Sequence, residues 1–295
     1  MNKRVRCCLT GGLGNQLFKS IGTINLAKRL SRLPELDISW YSYAKQGKDG
    51  ITKRRFELEY FPNIMLSFEG IFCSAVPLID KRINQLMRRS PKLLRNRMGI
   101  YIEEEVEQIS IKHKKVKIMA NFEHVKYLPE ENDLKTLLQP IQQMSSWQER
   151  ELSNIGSKDF IGVHVRLGDY LRFPQIYDVL TSNYYLDALS QLPNEFNYFP
   201  IVLFSDDPKL AKYWLGNNVQ VDYSVRVDSH THSAEPMMLL SKAKAIITAH
   251  STFSWWAARI GTLEGTTTQV VIPKKYFADQ KEQSSHLHVL GWKQV

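Results

Sequence analysis

Residues 161–170 read IGVHVRLGDY, and the fold turns on them. Ile161, Val163 and Val165 alternate with Gly162 and His164, a two-residue period that predicts a buried strand. The strand runs into Arg166-Leu167-Gly168-Asp169-Tyr170, where a glycine permits a turn and two opposite charges lie close together. Open α/β sheets bind ligands in the crevice beyond the carboxyl ends of their strands. Two readings of the charges stand side by side: a ligand site, or an Arg166–Asp169 ion pair that only holds the loop.

Working outward, residues 5–10 form a short apolar stretch followed by Gly11-Gly12-Leu13-Gly14-Asn15-Gln16. Leu17, Ile21, Ile24 and Leu26 then recur at helical spacing, and Lys28 and Arg29 mark the helix end. Strand, glycine turn and helix together resemble the start of a nucleotide-binding βαβ unit. There is no Gly-Lys-Ser/Thr, and Leu17 stands where a dinucleotide fingerprint has its third glycine, so neither standard phosphate motif is present. Gly12 and Gly14 serve either the approach of a ligand to the backbone or a tight turn with close helix packing.

Further strands are expected at 36–41, 116–120, 201–204, 245–248 and 270–273. Helices are expected at 134–152 (interrupted by Pro140), 183–192 and 235–243. The alternation predicts an α/β protein of two domains, 1–155 and 156–295, divided at the small, polar SNIGSKD segment. Asp206-Asp207-Pro208 after a strand suggests either a divalent metal site or a helix start, and proline at a first helical position favours the helix start. His250-Ser251-Thr252-Phe253 opens an aromatic helix, which places hydroxyls and N–H donors where phosphate binds or where an ordinary cap forms.

A charged fraction of 23% against a hydrophobic fraction of 43% excludes a disordered chain, and no apolar run reaches the length of a membrane span. No signal peptide is read at the start, and Cys7, Cys8 and Cys73 show no metal-ligand spacing, so a reduced, cytoplasmic setting is expected. The net charge of +9 favours anionic partners. Residues 80–97 interleave Lys81, Arg82, Arg88, Arg89, Lys92, Arg95 and Arg97 with apolar side chains, either a solvated face or a surface for anionic lipid. No nucleic-acid-binding module accompanies the positive charge.

Five motifs carry a family resemblance: GGLGNQLF at 11–18, HVRLGDY at 164–170, FSDDP at 204–208, STFSWWAA at 251–258 and PKKYF at 273–277. In that order they resemble the bacterial α-1,2-fucosyltransferases. The resemblance implies a GT-B architecture, two Rossmann-like domains facing a cleft, with GDP-fucose held by the C-terminal domain and a galactoside acceptor by the N-terminal one. It implies inverting transfer of fucose to a galactoside 2-hydroxyl in surface polysaccharide (O-antigen) synthesis, on a lipid-linked acceptor, without a metal or other cofactor. Arg166 takes the role of the catalytic arginine, and Ser251, Thr252 and Phe253 form the phosphate-binding turn. His164 lies near the nucleotide, Asn15 faces the reacting sugar, and Glu235 stands at the guanine-reading position. Asp169 is either the catalytic base or the group that orients Arg166. The chain departs from the family pattern at Leu167, where a second arginine is common, at Glu235, where aspartate is usual, and at Tyr276, where tryptophan is usual. A transferase using another GDP-sugar, a non-catalytic GDP-sugar binder and a nucleic-acid-binding protein are the rival readings.

Overall fold

Val5 and Cys7 point into a core while Arg4 and Arg6 flank them, the pattern of a strand in a packed sheet. The computed structural model describes residues 3–43, 54–73, 86, 89–109, 112–142, 144–174, 179–227, 232–275 and 285–295. The chain divides into two compact units that meet in sequence between Ile141 and Gln142.

In the first unit, β1 (Arg4–Cys8), β2 (Leu33–Asp37), β3 (Gly70–Phe72), β4 (Ile100–Ile102) and β5 (Lys115–Met119) form a sheet of order β3-β2-β1-β5-β4. Every pairing is parallel. The fully buried Glu35 of β2 stitches three strands, taking Arg4 at 2.6 Å and Arg6 at 2.8 Å from β1 and Lys115 at 3.5 Å from β5. The Leu13–Arg29 helix packs on β1 and β2, and its Lys28 and Arg29 fall in the last turn as the sequence indicates. The strand expected at 36–41 is displaced: β2 ends at Asp37, whose carboxylate accepts from the Ser39 N–H and hydroxyl and turns the chain into the Ser39–Tyr43 helix.

In the second unit, β6 (Ile161–Val165), β7 (Ile201–Ser205), β8 (Tyr223–Arg226), β9 (Ala245–Ile247), β10 (Gln269–Ile272) and β11 (Lys293–Gln294) form a parallel sheet of order β11-β10-β9-β6-β7-β8. Counted from β6, this is the doubly wound order of nucleotide-binding sheets, with the reversal between β6 and β9. All five residues of β6 are buried, as befits a central strand of a sheet covered on both faces.

The expected boundary at 155/156 is corrected. The Ser146–Ile155 helix belongs to the second unit: Gln148 Nε2 donates to the Glu235 carbonyl at 3.0 Å, and the Tyr223 hydroxyl donates to Glu151 at 2.9 Å. The polar SNIGSKD segment is the end of this helix, closed by Gly156 at φ 71°, and not a linker. The basic segment is also partly redrawn. Arg95 is buried against Glu105, so it leaves the solvated face, whereas Leu86, Leu93, Leu94 and Met98 are exposed beside Arg89, Lys92 and Arg97. Lys81, Arg82 and Arg88 lie outside the described residues. Among the described residues no helix is long and apolar enough to cross a membrane.

Candidate functional site

The chain leaves β6 at Val165 and turns at once, placing Arg166 at the carboxyl end of the strand beside the sheet's reversal point. Arg166 is held from β7: its Nη1 lies 3.5 Å from Asp206 Oδ2, and both side chains are almost fully buried. The second oxygen of Asp206 accepts from the Leu167 N–H at 3.2 Å. One carboxylate thus fixes both the arginine and the backbone of its turn. Gly168 is required here, because a Cβ at this position would stand 2.1 Å from Asp206 Oδ2. The Arg166 guanidinium also stands 5.8 Å from the Tyr170 ring centroid.

The opposite wall comes from β9. The chain passes Ala249 and His250 to Ser251, which caps the Thr252–Glu264 helix by accepting from the Phe253 N–H at 3.3 Å. Ser254 Oγ accepts from the Ala249 N–H, folding the loop tightly onto the helix start. The Tyr170 hydroxyl donates to the His250 carbonyl at 2.5 Å and ties the β6 loop to the β9 loop. The Phe253 ring lies 5.2 Å from the imidazole of His164.

His164 is the electrostatic anomaly of this corner. It is buried on β6, and neither ring nitrogen has a hydrogen-bond partner among the described residues. Burial, reinforced by the nearby Arg166 charge, lowers its pKa to about 3, so the ring is neutral at any physiological pH. A buried imidazole with two unsatisfied nitrogens is costly unless a bound group completes it. Beside an arginine and a helix N-terminus, the corner suits an anionic, hydrogen-bonding group.

The first unit has its own reversal point, between β1 and β5. After β1 the chain turns through Gly11 at φ 85°, and Gly12 opens the Leu13–Arg29 helix with no side-chain cap. The Gly11 carbonyl accepts from Gln16 Nε2 at 3.2 Å and from the Tyr41 hydroxyl at 3.0 Å. Gln16 also grips the Arg55 carbonyl and the Glu57 N–H, which brings Arg54 beside Gly12. Asn15 folds over Gly11, and Gly14 is buried in the first helical turn. The second wall is the loop after β5. Phe122 adopts φ 57°, is fully buried and packs against Gly22 of the helix so closely that a Cβ there would meet its ring at 2.5 Å. The His124 N–H donates to the Phe122 carbonyl at 2.8 Å, making Glu123 the centre of a three-residue turn. Burial raises the Glu123 pKa to about 7, against the opposing pull of Lys19 and with a smaller push from Glu103.

Of the residues singled out in the sequence, His164, Arg166, Ser251 and Phe253 come together at the second unit's reversal point, with Thr252 as the first residue of the helix that Ser251 caps. Glu235 lies in the Ala234–Leu240 helix, which packs on the Thr252–Glu264 helix, and its carbonyl accepts from Gln148 Nε2 at 3.0 Å. Gly12, Gly14 and Asn15 lie in the first unit. Asp169 falls in the Gly168–Arg172 helix with its side chain outside the described ones, and among the described side chains Asp206 pairs with Arg166. The expected helix start is present, since Asp207 accepts from the Leu210 N–H at 3.1 Å with Pro208 at the first position. That leaves Asp206 free of capping duty, the one signal in FSDDP that pointed to a second role. Among the described residues no three His, Cys, Asp or Glu side chains gather as a metal-ligand set.

Known proteins share this architecture. Fucosyltransferase NodZ from Bradyrhizobium superposes with a TM-score of 0.54 at 16% identity, covering 92% of this chain and 94% of that one. Arabidopsis thaliana FUT1 superposes with a TM-score of 0.51 at 14% identity, covering 92% of this chain and 70% of that one. The fold is therefore the GT-B type of these transferases. In sequence, the Escherichia coli O-antigen biosynthesis glycosyltransferase WbnK is 28% identical over 97% of this chain and 98% of its own. An Escherichia coli α-1,2-colitosyltransferase is 28% identical over 85% of each. The profile described as Glycosyl transferase family 11 matches residues 77–295, which include four of the five motifs and the whole β6–β9 site, and the chain belongs to that family of fucosyltransferases.

Proposed function

We propose that this glycosyltransferase moves fucose from GDP-fucose to the 2-hydroxyl of a galactoside, with inversion at the anomeric carbon, in the synthesis of a surface polysaccharide. The second unit binds the donor and the first the acceptor. The observation that carries the reading is the unsatisfied His164 imidazole, buried beside Arg166 and the Ser251-capped helix at the reversal of the second sheet. As the bond between sugar and diphosphate breaks, negative charge builds on the leaving oxygens. A guanidinium and N-terminal N–H donors that are already in place stabilise that charge without reorganising. Asp206 holds Arg166 in readiness. No metal is assigned to the reaction. The names of the relatives support sugar transfer in O-antigen synthesis, and one of them supports an α-1,2 linkage.

A second donor deserves a place in the test, because that relative is a colitosyltransferase. The acceptor is proposed to be lipid-linked, with the exposed Leu86, Leu93, Leu94 and Met98 and their basic neighbours meeting an anionic membrane surface. The deciding experiment is a panel of GDP-fucose, GDP-colitose and GDP-mannose, scored by GDP release with and without galactosides, with the product linkage read by NMR. Acceptor-dependent release from GDP-fucose and an α-1,2 product are expected. Turnover of GDP-colitose alone would replace the donor, and no acceptor-dependent turnover of any donor would remove the enzymatic reading.

A further inference from the structure

We propose that Glu123 is the base that takes the proton from the acceptor hydroxyl. This deepens the fucosyl-transfer reading above and rests on it. Inverting transfer has a fixed balance: the hydroxyl oxygen bonds to the anomeric carbon, the carbon–oxygen bond to the diphosphate breaks with its electron pair leaving on GDP, and the hydroxyl proton must go to a group of the protein. Among the described side chains, the carboxylate that meets the Arg166 turn, Asp206, is engaged by Arg166 and the Leu167 N–H.

Glu123 is differently placed. It follows β5, at the carboxyl end of a strand beside β1, where the first sheet reverses and a doubly wound unit receives its ligand. Its backbone is forced into position. Phe122 sits at a φ that bulky residues rarely adopt and is locked against Gly22, and the turn closes through the His124 N–H. The carboxylate is partly buried and accepts no hydrogen bond from any described residue, so its lone pairs remain available. Two charged groups face it from neighbouring elements. Lys19 of the Leu13–Arg29 helix donates to Thr10 Oγ1 at 2.5 Å, and Glu103, just after β4, accepts from the Asn121 N–H at 2.9 Å. Burial lifts the proton affinity of Glu123 towards neutrality, where a base both ionises and accepts a proton effectively.

The test uses the full-length enzyme with whichever GDP-sugar it turns over and a soluble galactoside. Glu123→Gln is expected to lower kcat for transfer by about a hundredfold or more, the usual worth of a general base, while GDP affinity and the thermal midpoint stay near wild type. The wild-type rate should rise with pH through an acidic limb near 7 that the variant lacks. The neighbours give a readout that a merely structural role would not move. Lys19→Gln removes the cation that lowers the Glu123 pKa and should shift the limb to higher pH. Glu103→Gln removes a like charge and should shift it to lower pH. If the wild type transfers sugar but Glu123→Gln keeps its rate within threefold, or the limb ignores both neighbours, Glu123 is not the base. If the wild type transfers nothing, the functional reading fails first, and the two failures are distinguishable.

Discussion

The proposed chemistry rests on single side chains, Arg166 and His164 foremost. Arg166→Lys keeps the charge but loses the planar fork that the proposed diphosphate contact calls for. It is expected to cut turnover about a hundredfold with the fold intact, and near-normal kcat in a folded Arg166→Lys protein would remove this residue from the diphosphate site. For His164 the linkage has a definite sign. The folded state holds the ring neutral down to about pH 3, whereas the unfolded chain takes up a proton near 6.5. Its contribution to stability is therefore complete above about pH 6.5 and is lost progressively as pH falls from there towards 3. Urea midpoints at pH 7 and pH 5 should differ less in His164→Gln than in the wild type, and equal differences would show that the ring is not held neutral. HVRLGDY marked both residues, but the partner of Arg166 was not legible. Asp206 comes from the neighbouring parallel strand, and no local spacing encodes the Arg166–Asp206 contact.

Elements whose signal is local could be read from the sequence. The Leu13–Arg29 helix, β6, β7 and the Asp207-Pro208 helix start all declare themselves through periodicity or capping. The edge strands β3, β4, β8 and β11 did not, because short segments such as Gly70–Phe72 and Lys293–Gln294 acquire their character only from the strand they pair with. The domain boundary failed for a related reason: Ser146–Ile155 ends in polar residues, yet tertiary contacts draw it into the second unit. Packing between elements is least forgiving where a glycine faces backbone. In the Thr252–Glu264 helix, a Cβ at Gly261 would stand 2.5 Å from the Ser241 carbonyl oxygen and 2.1 Å from Thr267 Oγ1. The carbonyl cannot swing aside as a side-chain tip would. Gly261→Ala is therefore expected to cost about 1–3 kcal/mol in chemical denaturation and to weaken donor binding through the displaced helix. An unchanged midpoint would mean that the two segments yield more easily than their contacts imply.

For the molecule as a whole, the net charge of +9 matters most where it meets exposed apolar side chains. Arg89, Lys92 and Arg97 flank Leu86, Leu93, Leu94 and Met98, and each basic residue near an anionic bilayer contributes about 1 kcal/mol, screened by salt. The protein is expected to sediment with phosphatidylglycerol vesicles at low salt and to release at high salt. Replacing Arg89, Lys92 and Arg97 with glutamine should abolish sedimentation and leave activity on a soluble galactoside intact. Indifference of the wild type to such vesicles at low salt would make this surface an ordinary solvated face.

The bond between Tyr170 and His250 joins residues 80 apart in the chain, and it exists because β9 slots in beside β6 after β7 and β8 are already laid down. On the ribosome, at roughly 5–20 residues per second, that separation is a wait on the order of ten seconds. Throughout it, the Ile161–Val165 strand has one edge without its eventual neighbour, and its apolar side chains have only part of their cover. The strand that leads into the proposed donor site is thus also the hazard of biosynthesis. The nascent chain is most exposed to aggregation in the interval before β9 emerges, and a chaperone that holds β6 in that window would act on yield without ever touching the finished enzyme.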